Sequence, residues 1–225
     1  QRDYSVVRAI NASITGNWNE AGLEREISSE IERQTGRATS GFFMPHNLEM
    51  RAPYAVGSAT TGGNLVATSP AGSTYYRGRG TIALSGKQYW EVTVSSLSIA
   101  EIGLCNSSFV IATNAYLGSD GNGYGWDNAG GFYLSVASVY AASSYATGTV
   151  LGFAFDSATG KIWIRKAGTW ENAGDPAAGT GNVATAAAGT WYPAFSLRGG
   201  SVATANFGAT AFSGSVPSGF NSGVY

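Results

Sequence analysis

The run Gly86-Lys87-Gln88-Tyr89-Trp90-Glu91-Val92-Thr93-Val94 decides the fold. A Gly-Lys turn opens it, and aromatic and β-branched residues follow, which fit a pleated, half-buried surface. Side chains alternate along a strand. Trp90, Val92 and Val94 therefore share one face, and Tyr89, Glu91 and Thr93 share the other. The run reads as a central strand of an antiparallel sandwich, with Trp90 anchoring the core.

Working outward, short runs of alternating character recur between turn signals from Gly72 onward, as in an all-β sandwich. The expected strands are Thr74 to Gly78, Thr81 to Leu84, Gln88 to Val94, Ala100 to Cys105, Gly131 to Val136, Val150 to Asp156, Lys161 to Lys166, Trp191 to Leu197 and Val202 to Phe207. Leu151, Phe153 and Phe155 share a face of one run; in the next, Ile162 and Ile164 share one face and Trp163 and Arg165 the other. Between these two runs lies Asp156-Ser157-Ala158-Thr159-Gly160. Asp suits the start of a turn and Gly suits a positive φ, so the pair should form a hairpin. Ala-Ala-Gly-Thr occurs at both 177–180 and 187–190, which reads as loop composition rather than a fold repeat.

Upstream the pattern changes. About half of the charged residues precede Ala52. Val6, Val7 and Ile10 are spaced for a helix over Tyr4 to Ala12. A second helix is expected over Trp18 to Thr35, with Asn17 as N-cap and Gly36 as the stop. Leu23, Ile27 and Ile31 recur every four residues on it, ringed by Glu24, Arg25, Glu26, Glu30, Glu32 and Arg33. So narrow a seam needs a partner surface, and these three residues are the expected docking face. The chain then reads as extended, since Pro45 disfavours helix before it. Two units are expected: an arm over 1–71, helical then extended, and a sandwich over 72–225.

Composition excludes several functions. A net charge of −1 gives no basic surface for nucleic acid. No apolar run is long enough for a membrane-spanning helix, which needs about 18 residues or more. One Cys (Cys105) and one His (His46) form neither an intrachain disulfide nor a common zinc site. No residue pattern calls for a cofactor. No secretory signal is visible, and Gln1 in place of Met reads as a processed or trimmed start.

Two resemblances add to this reading. Val6-Val7-Arg8-Ala9-Ile10, Gly22-Leu23-Glu24-Arg25-Glu26-Ile27, Thr35-Gly36-Arg37, Gly41-Phe42-Phe43-Met44-Pro45 and Val56 to Val66 stand in an order that resembles the N-terminal arm of tailed-phage major capsid proteins. The likeness covers residues 4–68 and then stops. It implies an arm that crosses to neighbouring subunits, without the shell-forming core of that family. The second likeness rests on Gly86 to Val94, Ile102-Gly103-Leu104, Tyr124-Gly125-Trp126, Thr147 to Asp156, Gly160 to Ile164, Tyr192-Pro193-Ala194 and Ala205-Asn206-Phe207-Gly208. These residues resemble the SPRY domain, a concanavalin-like antiparallel sandwich, over residues 72–221. Lys166-Ala167-Gly168 departs from that family, which often has Asn before the Gly. The resemblance implies a binding module without catalysis, making its contacts through variable loops.

Glu91 lacks the alternating acidic partner of a concanavalin-like glycosidase, so it reads as a structural hydrogen-bond acceptor. Asp120-Gly121-Asn122-Gly123 to Asp127 hints at a calcium loop, but Gly131 stands where an EF-hand places its bidentate Glu; a structural turn is expected. The SPRY resemblance implies a core position for Trp126, and Cys105, on a strand, reads as a small buried hydrophobe. Tyr140, Tyr145 and Trp170 fall in or near loops and are the candidate ligand contacts, since an aromatic with a polar handle suits sugar or protein. Together these readings imply a non-enzymatic phage virion protein of capsid-decoration or head-fibre type, made in the host cytoplasm and assembled in the virion. Its expected partners are capsid or other virion subunits, a host-surface glycan or protein, and further copies of itself. The alternative is a tail-fibre or receptor-binding protein; a glycan-acting enzyme ranks third.

Overall fold

The structure, a computed structural model, describes residues 65–224, together with the backbone of Leu48–Glu49 and Ala59–Thr61. The expected helices, with Leu23, Ile27 and Ile31, lie outside the described residues.

The strands are β1 (Leu48–Glu49), β2 (Ala59–Thr61), β3 (Val66–Thr68), β4 (Tyr76–Gly80), β5 (Lys87–Ser96), β6 (Ile99–Asn106), β7 (Gly123–Asp127) and β8 (Gly131–Leu134). They continue with β9 (Ala137–Ala141), β10 (Val150–Asp156), β11 (Lys161–Lys166), β12 (Thr169–Trp170), β13 (Ala184–Thr185), β14 (Trp191–Arg198), β15 (Val202–Asn206) and β16 (Asn221–Ser222). Among the described residues two sheets form a sandwich with almost no helix. The first sheet runs β1-β4-β14-β6-β7-β8-β9, and the second runs β12-β11-β10-β5-β15-β3-β2. In the second sheet β13 adds to β11, and β16 adds to β5 where β15 stops. Among the described residues all strand pairs are antiparallel except the short β16–β5 pair.

β5 is central, as its alternation implies, between β10 and β15. Trp90 pairs with Phe153 across β10, and their rings stack 5.3 Å apart. Phe153 also meets Trp126 edge to face at 6.4 Å. Ile102, Leu104, Phe132, Leu151, Phe155, Ile162, Ile164, Phe195 and Leu197 complete the core between the sheets. The β10–β11 hairpin has the expected register, Asp156 opposite Lys161, with Gly160 at φ +71°.

Three expectations need correction. Thr81 to Leu84 is not a strand: the chain turns after Gly80, and the Leu84 N–H makes one bond to the Trp191 carbonyl. Gly123–Asp127, in the segment read as a turn, is the inner strand β7. Its large residues Tyr124 and Trp126 fill the core while its glycines face outward. Finally, β2 and β3 pair with the second sheet and β1 with the first, so strands lie upstream of the expected 71/72 boundary.

Both outer faces are covered. Residues 107–122 lie on the first sheet, with Phe109, Ile111 and Leu117 packed on Cys105 and Ala194. A Cβ at Gly125 would sit 2.1 Å from the Leu117 carbonyl oxygen, so glycine on β7 is what lets this segment lie flat. On the second sheet Phe212, Val216 and Phe220 pack on Tyr89, Ala154 and Trp163. Tyr89 and Glu91 are consequently as buried as the core face of β5.

Candidate functional site

The outer face of the second sheet carries a polar cleft of about 520 Å³. Its floor is Glu91 on β5, Gly152 on β10 and Arg165 on β11, which stand side by side because Gly152 is in register with both of the others. Residues Thr147 to Val150, Ala167 and Gly168, and Ser213 and Gly214 line the rest of it. Gly152 is required here. A Cβ at this position would lie 2.7 Å from the Arg165 side chain and 2.7 Å from the Tyr89 hydroxyl. Without it, Arg165 reaches across β10 to β5.

Glu91 and Arg165 are each only 4% exposed. One carboxylate oxygen of Glu91 accepts from the Tyr89 hydroxyl at 2.5 Å, from Arg165 Nη2 at 3.2 Å and from the Gly214 N–H at 3.0 Å. The other accepts from the Ser213 N–H at 2.8 Å. Arg165 Nη2 also donates to the Tyr89 hydroxyl, and Nη1 donates to the Ser215 carbonyl at 2.9 Å. The guanidinium lies 4.7 Å from the centroid of the Tyr89 ring and 5.0 Å from that of Trp170. Burial, and then donation to Glu91, push the Tyr89 hydroxyl far above its ordinary range. A buried ion pair needs its remaining donors and acceptors satisfied, and this one is fastened to residues 213–215 by three backbone bonds.

Glu91 is thus the structural acceptor its sequence context indicates. It also cannot share a cleft with Glu101. Glu101 alternates with the core residues Ala100 and Ile102 on β6, so it faces outward from the first sheet, on the opposite side of the sandwich. Two carboxyls that flank one glycosidic bond must lie within about 10 Å across a common cleft. Cys105 is buried, and burial raises its thiol to about 12, so thiolate is scarce at neutral pH. Among the described residues no three His, Cys, Asp or Glu side chains converge as a metal site. Asp120 and Asp127 act instead as turn acceptors, for Asn122 N–H and for Gly130 and Gly131 N–H.

The candidate ligand contacts separate. Trp170 is half-buried beside the cleft, stacked on Arg165 and edge to face with Tyr89 at 6.3 Å. Tyr140 is half-buried, and its hydroxyl accepts from the Asn172 N–H at 2.9 Å. The two aromatics therefore meet at the 3-10 turn Glu171–Ala173. Tyr145 is a correction. It is buried, and its hydroxyl donates to the Ala100 and Trp126 carbonyls, so its ring is no surface contact. Sequence reasoning missed Ser213 and Gly214, which offer only backbone amides. It did place Arg165 and Trp163 on one face, opposite Ile162 and Ile164, and that was the available signal.

The sequence pattern of the SPRY domain matches residues 87–210. The chain belongs to the SPRY domain family. SPRY domains are in general protein-interaction modules. The strap that walls this cleft, Ser213 to Ser215, lies beyond the matched residues. The SPRY domain of human HERC1 has the same fold, with a TM-score of 0.50 and 14% identity over 66% of this chain and 91% of that one. Stonustoxin has a TM-score of 0.51 and 16% identity over 71% of this chain and 27% of its own. A different relative matches the N-terminal side. The major capsid protein of Halomonas phage phiHAP-1 is 51% identical over 43 residues, which are 19% of this chain and 7% of that protein. The chain therefore spans a small fraction of that relative's length.

Proposed function

We propose that this protein is a structural component of a phage virion, of capsid-decoration or head-fibre type. Its N-terminal arm docks on the shell through Leu23, Ile27 and Ile31, and its SPRY domain is displayed as a binding module. The observation that carries the reading is the join between two relatives: a stretch 51% identical to a phage major capsid protein and a SPRY domain in one chain. An arm shared with a shell subunit would use that subunit's own docking surface. Many copies on one particle then turn weak single-site contacts into firm attachment. The protein would be made in the host cytoplasm and reside in the virion. It would work by surface complementarity, without a cofactor and without turnover.

The test is to mix the full-length protein with assembled phage shells and sediment them together. Co-sedimentation is expected, and it should be lost in a Leu23→Asp, Ile27→Asp double variant whose SPRY domain remains folded. Failure of the unaltered protein to associate with shells removes the decoration reading.

The cleft supports a second reading, a tail-fibre or receptor-binding protein. Small-molecule sites have volumes of roughly 300–1,000 Å³, and this one has Trp170 at its side. A stable trimer of free chains that binds a host-surface glycan or protein would favour the fibre, and a chain that binds only shells would favour decoration.

A further inference from the structure

A guanidinium donates through three nitrogens and accepts through none. In Arg165, Nη1 serves the Ser215 carbonyl, and Nη2 serves the Tyr89 hydroxyl and Glu91. The Nε–H has no partner among the described residues. Nor is it one of the nitrogens sealed without a partner, as Trp90 Nε1 is, so it reaches solvent through the cleft that Arg165 lines. Gly152 makes this possible, because a Cβ there would stand 2.7 Å from Nε. Glu91, beside it, takes three bonds on one carboxylate oxygen and a single bond on the other. That second oxygen keeps a lone pair to spare. The floor of the cleft thus holds an unused donor next to an unused acceptor, both fixed in place by the fold.

The lining selects the ligand. Glu91 and Arg165 are the only charged residues among those that line the cleft, and they cancel one another. An anion or a cation therefore gains no net attraction. The largest apolar side chains of the lining are Val150 and Ala167, so nothing here encloses the aromatic or aliphatic anchor on which protein contacts depend. β10 is paired with β5 on one side and with β11 on the other, so the floor offers no strand edge to an extended peptide. Thr147 and Thr149 bring hydroxyls instead. The Thr147 hydroxyl has no partner among the described residues, and the Thr149 hydroxyl accepts from the Ala146 N–H at 3.2 Å with its own proton still to donate. A neutral ligand whose groups both donate and accept matches all of these features, and its volume range is that of a small-molecule site.

We propose that this cleft binds a neutral sugar ring, two adjacent hydroxyls of which bridge the Arg165 Nε–H and the open Oε2 of Glu91. One hydroxyl accepts from the arginine and the next donates to the carboxylate, while Thr147 and Thr149 meet hydroxyls further out on the ring. The inference rests on the second reading above, attachment to a host surface, and names the ligand class of that attachment. Each site is weak, and many copies make the attachment firm.

The experiment titrates the isotope-labelled full-length protein with the methyl glycosides of glucose, galactose, mannose and N-acetylglucosamine, and with glucuronic acid as the charged control, followed by nuclear magnetic resonance. At least one neutral glycoside should move the Arg165 Nε–H signal and the Gly152 and Gly214 amide signals to saturation, and glucuronate should bind more weakly. Thr147 is exposed, so Thr147→Ala keeps the fold, and it should weaken binding of that glycoside about fivefold. Gly152→Ala, which caps the Nε–H, should abolish binding with an unchanged circular dichroism spectrum. An Arg165 Nε–H signal that no neutral glycoside moves, tighter binding of glucuronate, or an affinity that Thr147→Ala leaves unchanged overturns the proposal. Adsorption of the protein to host cells without these shifts rejects the sugar and leaves the attachment reading standing. Saturable shifts without adsorption keep the sugar site and remove that reading.

Discussion

Two buried carboxyls sit on opposite faces of this sandwich, and they are handled differently. Glu91, on the second sheet, faces Arg165, a tyrosine hydroxyl and two backbone amides. Glu101, on the first, takes a hydrogen bond from the Ser196 hydroxyl, which in turn accepts from the Leu117 N–H at 2.8 Å. The Glu101 carboxyl is pushed up to about 7, by burial first and by Asp127, against the opposing pull of Ser196, Arg198 and Tyr75. One face therefore stores a matched ion pair beneath a C-terminal strap. The other keeps a carboxyl that is half neutral near pH 7 beneath the 107–122 segment. The difference lies in the partners: a cation and two backbone N–H donors reach Glu91, whereas a serine hydroxyl reaches Glu101.

The sharpest way to break this comparison is Arg165→Ala. It leaves Glu91 buried without its cation and strips the guanidinium from Trp170. Breaking one side of a buried pair costs about 3–5 kcal/mol. The denaturant midpoint should fall accordingly; a loss below about 1 kcal/mol would show that the backbone amides of the strap hold Glu91 alone.

The Glu101 side should show itself as a pH dependence. Its folded-state pKa is raised from 4.5 to about 7. The neutral carboxyl's contribution is therefore complete below pH 4.5 and is lost as pH rises through about 7. The span is on the order of 3 kcal/mol. Melting temperature should decline across that window in the unaltered protein, and the decline should be absent in Glu101→Gln. An identical slope in both would place the titration elsewhere.

Gly125→Ala tests how the first sheet is covered. Its Cβ would strike the Leu117 carbonyl oxygen, a backbone atom that cannot swing aside. Such overpacking costs about 1–3 kcal/mol. Hydrogen exchange should quicken at the Leu117 amide, while the Ser213 and Gly214 amides on the other face stay protected. The smallest effect belongs to Ala167, at φ +47° in the β11–β12 turn. Asn tolerates that region better than Ala, so Ala167→Asn should stabilise by a few tenths of a kcal/mol in a thermal melt.

Much of this architecture was legible in the sequence. The alternation of β5 and the β10–β11 hairpin follow from local periodicity and turn chemistry, the core placement of Trp126 follows from the family resemblance, and all three appear in the structure. What alternation cannot say is what covers a strand's second face. Tyr89 and Glu91 looked half-buried because the strap that buries them, carrying Phe212 and Phe220, lies more than a hundred residues away along the chain. Tyr145 failed as a surface candidate for the same reason. It lies in a loop-like stretch, but its hydroxyl's acceptors are on β6 and β7. β7 itself was obscured by its glycines, which resemble a loop until Leu117 is seen lying against them. Of the candidate cleft, only the shared face of Trp163 and Arg165 was readable, because Ser213 and Gly214 meet Glu91 through backbone amides.

The strap has a consequence for synthesis. The amides that quiet Glu91 belong to Ser213 and Gly214, the second of them 123 positions downstream. Until the ribosome has passed those codons and released them from its exit tunnel, β5 carries a carboxylate with an unfinished set of donors. The second sheet can be laid down early, but it locks only when translation of this region is nearly complete. A nascent chain stalled short of residue 213 should remain open to proteases that the finished domain resists.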